Sequence, residues 1–138
     1  MQFGEFGSIE MEMLWLSAAL GIVHFVFAII ASGVAGRTNW ALGPRDEPGP
    51  KFGTVGARLD RALANFVQSF ALFAAAVFIV TTLGKHLPMS VWGAQVYFWG
   101  RVAYLPLYAF GVPVIRTLVW TASTIGIVMV LLAAYPGM

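Results

Sequence analysis

Three stripes of polar side chains stand out in a chain that is otherwise close to hydrocarbon. Arg58, Arg61, Asn65, Gln68 and Ser69 fall at offsets 0, 3, 7, 10 and 11, which on a helix is one face. Tyr97, Arg101, Tyr104 and Tyr108 fall at offsets 0, 4, 7 and 11, again one face. Arg116, Thr117, Trp120, Thr121 and Thr124 make a third stripe. Guanidinium and amide donors gathered this way suit the holding and neutralising of an anion. The acids sharpen that reading. Past Asp60 the sequence has no Asp or Glu, so Arg101 and Arg116 lack an acidic partner on their own or neighbouring segments. A buried cation must be paired, or solvated by carbonyls and water. An anionic ligand is the economical completion. The competing outcome has Arg116 snorkelling to lipid phosphates and Arg101 bonding backbone carbonyls. It suits Arg116 better than Arg101, which sits mid-segment with tyrosines on its own face.

Other chemistries find little support. Cysteine is absent, which excludes disulfides and thiolate metal sites, so a sulfur nucleophile has to arrive with a ligand. Of the two histidines, His24 stands alone in the first apolar segment and is expected to be hydrogen-bonded in packing, while His86 lies in a turn; no metal site is indicated. No Gly-rich phosphate loop, Ser–His–Asp set or paired carboxylate is visible. Eight Lys and Arg against six Asp and Glu give a net charge of +2, too weak for nucleic-acid binding.

The elements that must position these residues follow from hydropathy. Hydrophobic residues make up 59% of the 138 positions and charged residues only 10%, with a mean hydropathy of +0.81. A soluble domain carries about 25% charged residues, so the chain reads as an integral membrane protein, in contact with a lipid bilayer. A span needs about 20 mostly apolar residues, and four stretches meet that length: 13–35, 58–83, 91–111 and 115–134. Barrel strands alternate over about ten residues; these runs do not. The expectation is an all-α bundle of four transmembrane helices forming a single domain over 1–138. Residues 1–12 read as an acidic tail with Glu5, Glu10 and Glu12, lacking the basic start and cleavage site of a signal peptide.

Orientation follows from the basic residues near helix ends. Arg37, Arg45, Lys51, Arg58, Arg61 and Arg116 fall on the side of the 36–57 loop, and Lys85 alone on the other. That puts the loop in the cytoplasm and both termini outside. At 1.5 Å per residue, Asn65 lies about 10 Å in from Arg58 and Arg101 about 15 Å in from Gly111. The three stripes thus meet in the inner half of the membrane. Small residues at four-residue spacing (Ser17 and Gly21; Ala28, Ser32 and Gly36; Ala71 and Ala75) predict close helix approach, within a subunit or between subunits.

The run from Arg58 to Gln68 (RLDRALANFVQ), then Gly100, Arg101, Tyr104 and Tyr108, then Arg116, resembles the MAPEG family. That family comprises membrane proteins of eicosanoid and glutathione metabolism, including microsomal glutathione transferases, leukotriene C synthase and microsomal prostaglandin E synthase. The resemblance covers nearly the whole chain, and the Gly43–Asp46 stretch is similar to bacterial members, which implies a bacterial inner membrane. It further implies a homotrimer with glutathione between subunits, in a site facing the cytoplasm. On that resemblance Arg61, Asn65 and Gln68 would hold the charged ends and amides of the tripeptide. Arg101, Tyr104 and Tyr108 would line the pocket. Arg116 would stabilise the glutathione thiolate, with Thr117 and Trp120 beside it. Departures from the family pattern are specific. Gln68 stands where Glu is usual, Ala64 where eukaryotic synthases tend to have Arg, Tyr104 for a His and Trp120 for a Tyr of prostaglandin E synthase.

The implied chemistry is a glutathione-dependent transferase or peroxidase acting on small lipophilic electrophiles. A thiol titrates at about 8.5, and a cation beside it lowers that value. A unit charge about 4 Å away at an effective dielectric of about 20 supplies roughly 4 kcal/mol, several times the ~1.4 kcal/mol of one pKa unit. The alternative is a relative that keeps the fold and binds an anionic ligand or lipid without activating a thiol. A third class, a small proton-coupled exporter, needs a carboxylate within the membrane. None stands between Glu12 and Asp46 or after Asp60.

Overall fold

The structure is a computed structural model and describes residues 7–137. Helix α1 spans Ile9–Val34, α2 Thr38–Leu42, α3 Thr54–Leu83, α4 Pro88–Ala109 and α5 Pro113–Ala133. Helices α1, α4 and α5 begin where the sequence supplies a cap or a proline. Ser8 caps α1 by accepting from the Met11 amide at 3.3 Å. Proline occupies the first position of both α4 and α5, where its missing N–H leaves no bond unmade. The α4–α5 turn closes on Gly111, whose φ of 73° suits glycine, and a Cβ there would come within 2.6 Å of the Arg58 guanidinium carbon.

The described residues contain no strand, as expected of an all-α membrane chain. Three helices are long and apolar enough to cross a membrane: α1, α3 and α5, with mean hydropathies of 2.3, 2.1 and 1.8. Helix α4 has the length but carries Gln95, Tyr97, Arg101, Tyr104 and Tyr108, and it buries Tyr97, Arg101 and Tyr104 against its neighbours. The core joins Phe73, Val77 and Val80 of α3 to Ala94 and Tyr97 of α4 and Val130 of α5.

Helix α4 lies closest to α5, and glycine makes that approach. A Cβ on Gly93 would fall 2.6 Å from the Gly126 carbonyl oxygen, and one on Gly126 equally close to the Gly93 carbonyl. Gly100 meets Ser123 in the same seam. The predicted small-residue pairs behave differently. Ser17 and Gly21 are buried, with Gly21 against Phe66, but Ala71 and Ala75 are exposed and Gly36 lies past the end of α1 with a φ of 70°.

Two expectations need correction. Residues 9–12 belong to α1, so that helix does contain acids, because the Ser8 cap starts it early and carboxylates suit a helix N-terminus. Glu10 is fully buried; it accepts from Ser90 Oγ at 2.5 Å and lies 3.3 Å from His86 Nδ1. Glu5 lies outside the described residues. The stretch expected as a loop, 36–57, contains a short helix, α2. Arg37 sits between the Trp40 and Phe52 rings, 4.4 and 4.3 Å from their centroids, and donates to the Pro50 carbonyl. Trp40 Nε1 donates to the Glu47 carbonyl at 2.5 Å.

Candidate functional site

Arg101 is the largest fully buried side chain among the described residues. Its Nη1 donates to Asn65 Oδ1 of α3 at 2.7 Å. Its guanidinium carbon lies 5.7 Å from the Tyr97 ring centroid and 5.2 Å from that of Tyr104, one helical turn to either side. Nε and Nη2 have no hydrogen-bond partner among the described residues. Among the described residues no carboxylate pairs with it. Arg101 borders a cavity of about 170 Å³ whose other walls include Asn65, Gln68, Ser69, Trp120 and Thr124. All three sequence stripes therefore converge there.

The tyrosines are held firmly. Tyr97 stacks on Phe73 at 4.0 Å, and its hydroxyl lies 3.1 Å from Ser69 Oγ. Tyr104 is buried, 5.4 Å from Tyr108. Tyr108 organises a second cationic group nearer the α4–α5 turn. Arg61 Nε donates to its hydroxyl at 3.2 Å, and the Arg116 guanidinium carbon lies 4.7 Å from its ring centroid. Arg58 Nη1 donates to the Ala109 carbonyl at 3.3 Å and so braces the end of α4.

The predicted site residues thus form two neighbouring groups. Asn65, Gln68, Arg101 and Trp120 share the cavity, whereas Arg61, Tyr108 and Arg116 gather outside it, with Tyr104 between. Thr117 joins neither. It is exposed and donates to the Pro113 carbonyl at 3.1 Å, as Thr121 and Thr124 do to carbonyls four residues back. Ser69 and Thr124 lie on the cavity wall although only their stripe positions pointed to them. Leu72 and Ile127 complete the wall, and nothing in their residue types signals a site. His24 is buried and stacks on Phe66 at 4.6 Å. The hydrogen bond expected of it does not form: both ring nitrogens are unpartnered, because the facing surface of α3 is aromatic.

A sequence model of the MAPEG family matches residues 13–135. This chain belongs to the MAPEG family. Neither a curated protein nor a solved structure matches it. Membership makes this MAPEG protein a membrane protein of the glutathione and eicosanoid metabolism family, whose members generally use glutathione. The residues present fit such a ligand. Two unpartnered guanidinium nitrogens suit a carboxylate, and the amides of Asn65 and Gln68 suit a peptide.

Proposed function

We propose that this MAPEG protein is a glutathione-dependent transferase or peroxidase for lipophilic electrophiles. The observation that carries the reading is Arg101, wholly buried, with Nε and Nη2 unpaired beside the cavity. Bound glutathione supplies the thiol that attacks the electrophile. Arg101, steadied by Asn65, takes a carboxylate, and Gln68 takes an amide. Arg61, outside the cavity on the Tyr108 hydroxyl, adds positive charge to the second group, with Tyr104 between the two. Arg116, stacked on Tyr108, favours loss of the thiol proton, and Trp120 walls the Arg101 cavity. Arg61, Gln68, Thr117 and Trp120 are exposed in the single chain, which agrees with a site completed by a neighbour in a homotrimer. The electrophile comes from the bilayer. An apolar groove of about 270 Å³ between α3 and α5 shares Leu72, Thr124 and Ile127 with the Arg101 cavity and gives it a path. The 36–57 loop faces the cytoplasm and all four long helices span the membrane.

One observation favours a second reading. Arg116 is engaged with Tyr108 and does not border the Arg101 cavity, so an anion held at Arg101 does not by itself meet the residue assigned to the thiol. The second reading is an anion-binding or lipid-binding MAPEG protein without thiol activation. Titration calorimetry with glutathione in detergent, followed by turnover of a chromogenic aryl halide, separates the two. Heat with turnover supports the transferase, whereas turnover missing, with or without heat, sinks the transferase and favours the second reading.

A further inference from the structure

A cavity larger than the one beside Arg101 opens at the α2 end of the α1–α3 contact. It measures about 640 Å³ and opens between the last turns of α1 (Phe27, Ile30, Val34) and the first turns of α3 (Val55, Leu59), with Lys51 at its rim. Small residues create the space: Ala31 and Ala35 face Gly53 and Gly56, and a Cβ on Gly56 would already come 3.4 Å from that of Ala31. Its walls belong to two helices that are long and apolar enough to cross a membrane, and Ile30, Val34 and Val55 are exposed. The groove follows α1 for about 10 Å, from Phe27 to Val34.

Charge decides what fills it. Lys51 is exposed and makes no hydrogen bond or ion pair among the described residues. Six basic residues (Arg37, Arg45, Lys51, Arg58, Arg61 and Arg116) gather at this end of the bundle against Asp46, Glu47 and Asp60. An apolar slot ending at an unpaired ammonium, at the level where the chain leaves the hydrocarbon, matches an acyl chain joined to an anionic headgroup. We propose that the α1–α3 groove is a binding site for an anionic phospholipid, with one acyl chain along Ile30 and Val55 and the phosphate at Lys51. The site is independent of the Arg101 cavity and does not rest on the glutathione reading.

Native mass spectrometry of the full chain released from detergent tests it, with dioleoyl phosphatidylglycerol and dioleoyl phosphatidylcholine as probes. Phosphatidylglycerol is retained about fivefold more tightly, the worth of one lysine at an anionic surface. Lys51→Glu, and the milder Lys51→Gln, lie in exposed coil and remove the preference while leaving phosphatidylcholine retention unchanged. Ala35→Phe plugs the slot and weakens retention of both lipids. Equal retention of the two lipids by the parent chain overturns the proposal, as does a preference that survives both Lys51 substitutions. Should Ala35→Phe split an oligomer without changing lipid retention, a second copy covers the groove and the lipid assignment fails.

Discussion

At the scale of the residue, the burial of Arg101 is the feature most costly to fold and most informative about ligand. One hydrogen bond to Asn65 and two tyrosine faces do not saturate a guanidinium with five donors. Removing the charge relieves its desolvation, which offsets the roughly 1–3 kcal/mol lost when Asn65 Oδ1 is left without its donor. Arg101→Leu is therefore expected to melt no lower than the parent in detergent while glutathione affinity, by calorimetry, falls about tenfold or more, the worth of a charge-assisted bond. A purely structural arginine would give the opposite pattern: lower stability and unchanged affinity. Arg116 makes a different prediction because it lies outside the cavity, on Tyr108. Arg116→Ala is expected to leave glutathione binding within about twofold and to reduce aryl halide turnover by roughly two orders of magnitude or more, the usual loss on deleting a charge-stabilising donor. Unchanged turnover removes Arg116 from the mechanism.

At the scale of the element, the site depends on how closely α4 and α5 lie, since α4 carries Arg101, Tyr104 and Tyr108 and α5 carries Arg116 and Trp120. Gly93 and Gly126 allow each helix to touch the carbonyl of the other. Gly126→Ala would place a methyl 2.6 Å from the Gly93 oxygen and 2.8 Å from the Tyr97 amide nitrogen, both backbone atoms that cannot swing aside. It is expected to destabilise by about 1–3 kcal/mol, read as a lower midpoint of thermal unfolding. The sequence made parts of this legible and hid others. The α3 stripe put Asn65, Gln68 and Ser69 on one face because helical spacing dictates it, and all three line one cavity; that Arg101 of α4 meets them there is set by packing between helices. It could not show that Gly93 meets Gly126, since that pairing depends on the register between two helices and no single-helix period encodes it. Thr117 looked equivalent to Trp120 in its stripe, yet its hydroxyl turns back to Pro113, a local bond that competes with any ligand role. Glu10 was hidden for a related reason. Its partners Ser90 and His86 lie about 80 residues away and are brought near only by tertiary packing.

At the scale of the whole molecule, the chain has two chemically distinct ends. Glu10, Ser90 and His86 tie the start of α1 to the start of α4. Ser90 and Arg101 are eleven residues apart on α4, about 16 Å along the axis. Ser90→Ala takes a partner from a buried carboxylate and is expected to cost about 1–3 kcal/mol of stability, with glutathione affinity unchanged by calorimetry; a parallel fall in affinity would show the ends to be coupled. The basic residues divide just as sharply, six at the α2 end and Lys85 at the other. Lys and Arg near helix ends resist translocation, so the α2 end is expected in the cytoplasm. The absence of cysteine makes a clean test available. In intact cells a membrane-impermeant maleimide is expected to label a cysteine placed at His86, which is exposed beside Lys85, and to spare one placed at Glu47, exposed in the folded loop. Permeabilisation should then expose Glu47→Cys to the same reagent. The reverse pattern would put the Arg101 cavity on the outer side, away from the reducing cytoplasm in which a glutathione thiol is kept free, and would remove the basis of the transferase reading.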